Sequence, residues 1–235
     1  MIIAQKLFKK YDGVPILNGA SLTASPGQVV LLTGDNGAGK TTTLRILAGL
    51  VSPDAGVAEI DGISILQDRR KAQARLSFLP QGTSFQPAMT PWHLMNFYAG
   101  LRGVPKSRAE VMLAKVGLLN ARDKAVRKLS GGMVQRLGLA LLLLPDAPVL
   151  ILDEPGISLD PAWREELRQI LKAEAERGKT VLITTHLLAE WDDCADVTLV
   201  CENGTIVEEA ECVPLHSTPR INGHRFSHPE TFNRL

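Results

Sequence analysis

Gly34-Asp35-Asn36-Gly37-Ala38-Gly39-Lys40-Thr41 packs three glycines, a lysine and a threonine into eight consecutive residues. Glycines let a loop wrap tightly, so that successive backbone N–H groups point at phosphate oxygens, and a helix opening near Lys40 adds its positive dipole end. Lys40 would neutralise phosphate charge, and Thr41 would place its hydroxyl on Mg²⁺. Farther along, Val149-Leu150-Ile151-Leu152 runs into Asp153 and Glu154. Two carboxylates at the carboxyl end of a strand stand where open α/β sheets bind ligands. Asp153 would hold Mg²⁺ through water, and Glu154 would orient and deprotonate an attacking water. Between them lies Leu129-Ser130-Gly131-Gly132-Met133. Ser130 suits the N-cap of the helical run Val134 to Leu144. The same bare helix start, with Gly131 and Gly132, can receive a γ-phosphate presented by a second subunit. In this order the three motifs imply ATP hydrolysis by a dimer.

The elements that must hold these residues are legible around them. Ile16 to Ala24, the Pro26-Gly27 turn and the apolar run Val29 to Thr33 read as strand, turn and doubly covered strand. The glycine loop follows directly, and Thr41 to Leu50 shows helical spacing at Leu44, Leu47 and Ala48. Val57 to Ile60 with Asp61-Gly62 reads as a hairpin, and Leu76 to Leu79 as a further strand. From Pro91 to Leu144 strand signals vanish. Leu94, Phe97 and Leu101, then Val111, Leu113 and Val116, recur at helical intervals and predict an inserted helical subdomain at about 88–144. Strands and helices then alternate through Val149–Leu152, Trp163–Arg177, Thr180–Thr184, Leu187–Ala195 and Val197–Cys201, with an Asn203-Gly204 hairpin turn into Thr205–Val207. The expected fold is α/β: a P-loop core with a mainly parallel sheet in three layers, an N-terminal antiparallel β part and the helical insertion. Residues 1–212 form the expected ATPase domain, and 213–235 read as a loosely ordered tail.

Composition narrows the rest. A net charge of +1 gives no reason to expect nucleic acid. The longest apolar run, Leu137 to Leu144, stops at Pro145, well short of the roughly 20 residues a membrane-spanning helix needs. The start, Met1 to Lys6, lacks a signal-peptide layout. Cys194, Cys201 and Cys212 show no paired spacing and read as reduced cytosolic thiols.

With these residues in hand, the chain resembles the nucleotide-binding subunit of an ATP-binding cassette (ABC) transporter over roughly residues 1 to 210. Leu129-Ser130-Gly131-Gly132 matches the family signature, and Met133-Val134-Gln135-Arg136 is a variant of its continuation. The resemblance implies that Tyr11 stacks on adenine and that nucleotide contacts extend to Thr42. It implies that Gln81 touches Mg²⁺ and the attacking water and relays contact with the membrane subunit. His186 resembles the switch histidine that hydrogen-bonds the γ-phosphate, and Asp160 the loop aspartate that crosses the dimer interface. The chain departs from the family at Gly156-Ile157-Ser158. There Thr or Ser usually follows Glu-Pro, and Gly or Ala usually precedes Leu-Asp.

The stretch Thr90 to Gly103 resembles bacterial ABC-2-type exporter ATPases, which serve drug, polysaccharide, haem or copper-maturation export. The resemblance implies a second ATPase subunit, an integral membrane permease subunit, and a location on the cytoplasmic face of the cell membrane. The segment Gly82 to Met89, with Phe85 expected to be exposed, suits a groove that receives a short helix from the permease. A soluble cassette ATPase working in assembly or repair is the alternative. Repair-type members carry long coiled coils, and no heptad run is present here.

Overall fold

The computed structural model describes residues 1–186, 191 and 194–208. The helix expected over Leu187–Ala195 falls outside them, apart from Trp191, Cys194 and Ala195; so do Cys212 and the tail 213–235. In chain order the elements are β1 (Ile2–Tyr11), β2 (Val14–Ala24), β3 (Val29–Thr33), α1 (Lys40–Leu47), β4 (Ala55–Ile60), β5 (Ile63–Ser64) and α2 (Arg69–Ala74). There follow β6 (Leu76–Leu79), α3 (Pro91–Arg102), α4 (Lys106–Lys115), α5 (Gly131–Leu143), β7 (Val149–Asp153), α6 (Pro161–Glu176), β8 (Thr180–Thr184), β9 (Val197–Glu202) and β10 (Thr205–Glu208). One sheet, in the order β2-β1-β4-β5, is antiparallel. The other runs β10-β9-β3-β8-β7-β6, parallel except for the β9–β10 hairpin.

The parallel strands read as unbroken apolar runs because both faces are covered. Alternate residues go to opposite sides. Val29, Leu31, Leu150, Leu152, Val181 and Ile183 pack with side chains of α3 to α6. Val30, Leu32, Val149, Ile151 and Leu182 pack with α1 and the antiparallel sheet. The helical layer, the parallel sheet and the β layer with α1 are therefore three layers around two cores.

β1 goes unread in the sequence, and two helices turn faces inward that differ from the expected ones. β1 breaks the period of two, since Ile2, Ala4 and Leu7 are the buried residues. Lys6 has φ 48° and the pairing shifts register between Ala4 and Leu7, so a bulge adds one residue to the pattern. In α3 the buried face is Pro91, Leu94, Met95 and Ala99, whereas Phe97 and Leu101 are exposed. In α4 Leu113 is buried but Val111 is exposed. Met95 and Ala99 join Leu94 on the inward face of α3, in place of Phe97 and Leu101.

An ionic cluster joins α4 to the core. Glu174 on α6 is buried and meets Lys115 of α4 at 2.8 Å and Lys179 at 2.6 Å. Lys179 also meets Asp146 at 2.6 Å, and Asp146 meets Arg108 of α4 at 3.1 Å. Lys179 immediately precedes β8, so this cluster lies at the end of the strands opposite the glycine loop.

Candidate nucleotide site

The loop between β3 and α1 is fixed by contacts only glycine permits. Gly34 has φ 126°, and a Cβ there would lie 2.1 Å from the Cys201 carbonyl oxygen. Beneath the loop, the buried Cys201 thiol donates to Ala38 O at 3.0 Å. Burial pushes the Cys201 pKa up to about 11 against the opposing pull of Lys40. Lys40 is buried at the first turn of α1, its Nζ donating to Gly34 O at 2.6 Å and Asp35 O at 2.9 Å. Its charge thus faces the mouth of the loop.

Asp153 ends β7 directly across from this helix start. Thr41 Oγ1 donates to Asp153 Oδ1 at 3.3 Å, and Thr184 Oγ1 donates to the same oxygen at 2.7 Å. A hydroxyl and a carboxylate are hard oxygen donors that suit Mg²⁺, and Gln81 lines the opening that Thr41 also lines. No cluster of three His, Cys, Asp or Glu side chains among the described residues forms a metal cage of its own. Glu154 follows with φ 51°, and its Oε2 lies 2.8 Å from His186 Nδ1. Its side chain is 9% exposed against 50% for His186, so the pair is rooted in the core and open at the imidazole.

Three adjoining openings surround the loop. One of about 320 Å³ is lined by Tyr11, Asn36, Gly37, Lys40, Gln81 and Glu154, and reaches Gly39, Thr41 and Thr42. One of about 610 Å³ runs past Gly34, Asp35 and Gln81 to Glu154 and His186. A third, of about 650 Å³, passes Ala38, Cys201 and Gly204. Tyr11 is exposed at the first of them, with Lys9 Nζ 5.5 Å from its ring centre.

Ser130, Gly131, Gly132 and Asp160 line none of the three openings. Ser130 caps α5, accepting from Met133 N at 3.2 Å, and Asp160 caps α6, accepting from Trp163 N at 3.0 Å. These two caps are neighbours: a Cβ on Gly132 would sit 3.1 Å from Ser158 O. Ser158, where the family usually has Gly or Ala, has φ 68°. Phe85 is not exposed as expected. It is half-buried against the helical core, and it lines a separate cleft of about 420 Å³ between β6 and the helices. Thr184 lies at the centre of the site without having been singled out in the sequence. A threonine in an apolar strand carries no pattern of its own, and only the register opposite Asp153 reveals it.

The ABC transporter family profile matches residues 17–156. The chain is 37% identical over 205 residues to the Nod factor export ATP-binding protein I of Burkholderia orbicola, covering 86% of this chain and 67% of that protein. It is 34% identical over 216 residues to the daunorubicin/doxorubicin resistance ATP-binding protein DrrA of Streptomyces peucetius, covering 90% of this chain and 66% of that one. The fold superposes on a dimeric bacterial ABC transporter cassette with a TM-score of 0.82 at 26% identity, covering 89% and 98% of the two chains. A dimeric post-hydrolysis cassette bound to ADP and Pi gives 0.80 at 25% identity, covering 89% and 98%. The chain belongs to the ABC transporter family, as an ATP-binding and ATP-hydrolysing subunit. Cassettes of this family form dimers and work with transmembrane domains. Among the described residues no helix is long and apolar enough to cross a membrane.

Proposed function

We propose that residues 1–212 are the Mg²⁺-dependent motor of a bacterial exporter, working as a homodimer on the cytoplasmic face of the membrane. The observation that carries this reading is the 3.3 Å approach of Thr41 to Asp153, which brings the glycine loop and the paired carboxylates into one site. Thr41, Gln81 and Asp153 would hold Mg²⁺, which supplies charge neutralisation between the phosphates when bound. Gly34 to Gly39 cradle the β- and γ-phosphates with their N–H groups, and Lys40 exchanges its two carbonyl partners for phosphate oxygens. Thr42 continues these contacts, and Tyr11 stacks on adenine.

Glu154 takes the proton of the attacking water. With the carboxylate ionised, His186 Nδ1 must carry the proton of their hydrogen bond. That leaves Glu154 Oε1 for the water, and a γ-phosphate oxygen, which can only accept, is met by His186 Nε2 when that nitrogen carries a proton as well. Gln81 positions the water from the opposite side. Ser130, Gly131, Gly132 and Asp160 serve the partner's nucleotide, which accounts for a glycine-opened helix start exposed away from the chain's own loop.

Residues 88–144 would face an integral membrane permease, whose short helix suits the cleft beside Phe85. Export is favoured by the resemblance of Thr90 to Gly103 to ABC-2-type ATPases and by what the relatives are named for. The test uses two variants. Lys40→Ala should abolish binding and turnover. Glu154→Gln should hold ATP, sediment as a dimer when ATP is added, and turn over more slowly by about 10²-fold or more. A monomeric ATP-bound Glu154→Gln protein would refute the composite site.

A further inference from the structure

We propose that Thr184 is a positioning residue that fixes both carboxylates of the site through one hydroxyl. Thr184 is fully buried at the end of the central strand β8, paired in register with Asp153 on β7 and Leu32 on β3. Its Oγ1 makes two bonds of forced direction. The Glu154 backbone N–H, 3.0 Å away, can only donate, so Oγ1 accepts there. The single hydroxyl proton is then left for Asp153 Oδ1 at 2.7 Å. One oxygen atom thereby sets the rotamer of Asp153 and the peptide orientation of Glu154.

The bond to the Glu154 N–H matters because Glu154 is in the left-handed region, φ 51°, which strains a non-glycine residue. Its N–H reaches Thr184 twice, at Oγ1 and, at 3.2 Å, at the carbonyl oxygen. This double hold keeps the reversed turn that swings the Glu154 carboxylate toward His186, two residues past Thr184 on the same segment. The inference rests on Glu154 acting as the base.

Removing the hydroxyl should leave the fold standing. The Glu154 N–H keeps the Thr184 carbonyl, and Asp153 Oδ1 keeps Thr41. What is lost is orientation, and small misplacements of reacting groups cost up to about 10²-fold in rate. The experiment compares Thr184→Val, Thr184→Ser and Glu154→Gln in the full chain. It measures kcat and KM for ATP, and amide hydrogen exchange at Glu154 in the nucleotide-free protein. Thr184→Val should lower kcat about 10- to 100-fold with KM within about twofold. Thr184→Ser should restore kcat to within about threefold of the parent. Exchange at Glu154 should speed up about tenfold in the valine variant and not in the serine one. Should valine fail to fold, Thr184→Cys is read in its place. A kcat near the parent's in Thr184→Val, a serine variant as slow as the valine one, or unchanged exchange overturns the role of Thr184. A Glu154→Gln protein with parental turnover would instead overturn the base assignment, whatever Thr184 does.

Discussion

His186 Nδ1 and Glu154 Oε2 are joined at 2.8 Å, although one residue follows β8 and the other follows β7. The imidazole is half-exposed while the carboxylate is nearly enclosed, so the pair behaves as one unit with a solvent-facing end. Groups that act as a unit give non-additive losses. His186→Ala should reduce steady-state phosphate release about 10²-fold, and the double variant with Glu154→Gln should be no slower than Glu154→Gln alone. Multiplying losses would show that the two act separately.

The cleft lined by Phe78, Leu79, Thr83, Phe85, Tyr98 and Leu141 invites a docking test. Phe85 packs against the core, so changing it confounds docking with folding. Tyr98 is exposed at the same cleft. Tyr98→Glu should leave ATP hydrolysis of the isolated subunit within about twofold, since none of the phosphate-facing residues is touched, and should stop co-purification with the cognate membrane subunit. Retained co-purification would put the docking surface elsewhere.

The ionic cluster of α4 and α6 sets an acid limit. Burial pushes the Glu174 pKa up, but hydrogen bonds from Lys115 and Lys179 outweigh it and the carboxyl ends below its ordinary value. A hydrogen bond from Lys179 likewise holds Asp146 low. Folded pKa values below the unfolded ones mean stability that is present above the ordinary carboxylate range, about pH 4, and lost as pH falls through the depressed values. Glu174→Gln should cost about 3 kcal/mol in denaturant titration at pH 7. It should also flatten the loss of stability below about pH 4. An equal acid sensitivity in the variant would remove Glu174 from the account.

Ser158 offers a gain. A left-handed φ of 68° penalises serine, whereas glycine avoids the strain at the expense of unfolded-state freedom. Ser158→Gly should stabilise the protein by about 0.5 kcal/mol, read as a shift in urea midpoint. A lower midpoint would mean that contacts of the serine side chain outweigh the strain.

The phosphate loop, the carboxylates and the parallel strands were legible because each is a local pattern: glycine spacing, or an apolar run ending in charge. The signature turn was legible as a cap and as a helix start for a second subunit's γ-phosphate, and its exposure away from Lys40 needed the fold. β1 escaped because the bulge at Lys6 breaks the alternation that marks a strand. The inward face of α3 escaped because Met95 and Ala99 carry less hydrophobic weight than Phe97 and Leu101, so tertiary contacts decided against bulk. Thr184 escaped because its meaning lies across the sheet, in a partner more than thirty positions away.

The thiol of Cys201 sits in the floor of the glycine loop, hydrogen-bonded to Ala38 and raised in pKa to about 11. A thiol so enclosed and so protonated is nearly inert to alkylating reagents at neutral pH. It reacts only in the fraction of time the loop lifts, so its alkylation rate is a clock for local opening. Peptide-resolved labelling would read that clock at Cys201 alone, without any engineered probe. Phosphate seated in the loop should make it tick more slowly, which turns a buried cysteine into a built-in reporter of nucleotide occupancy.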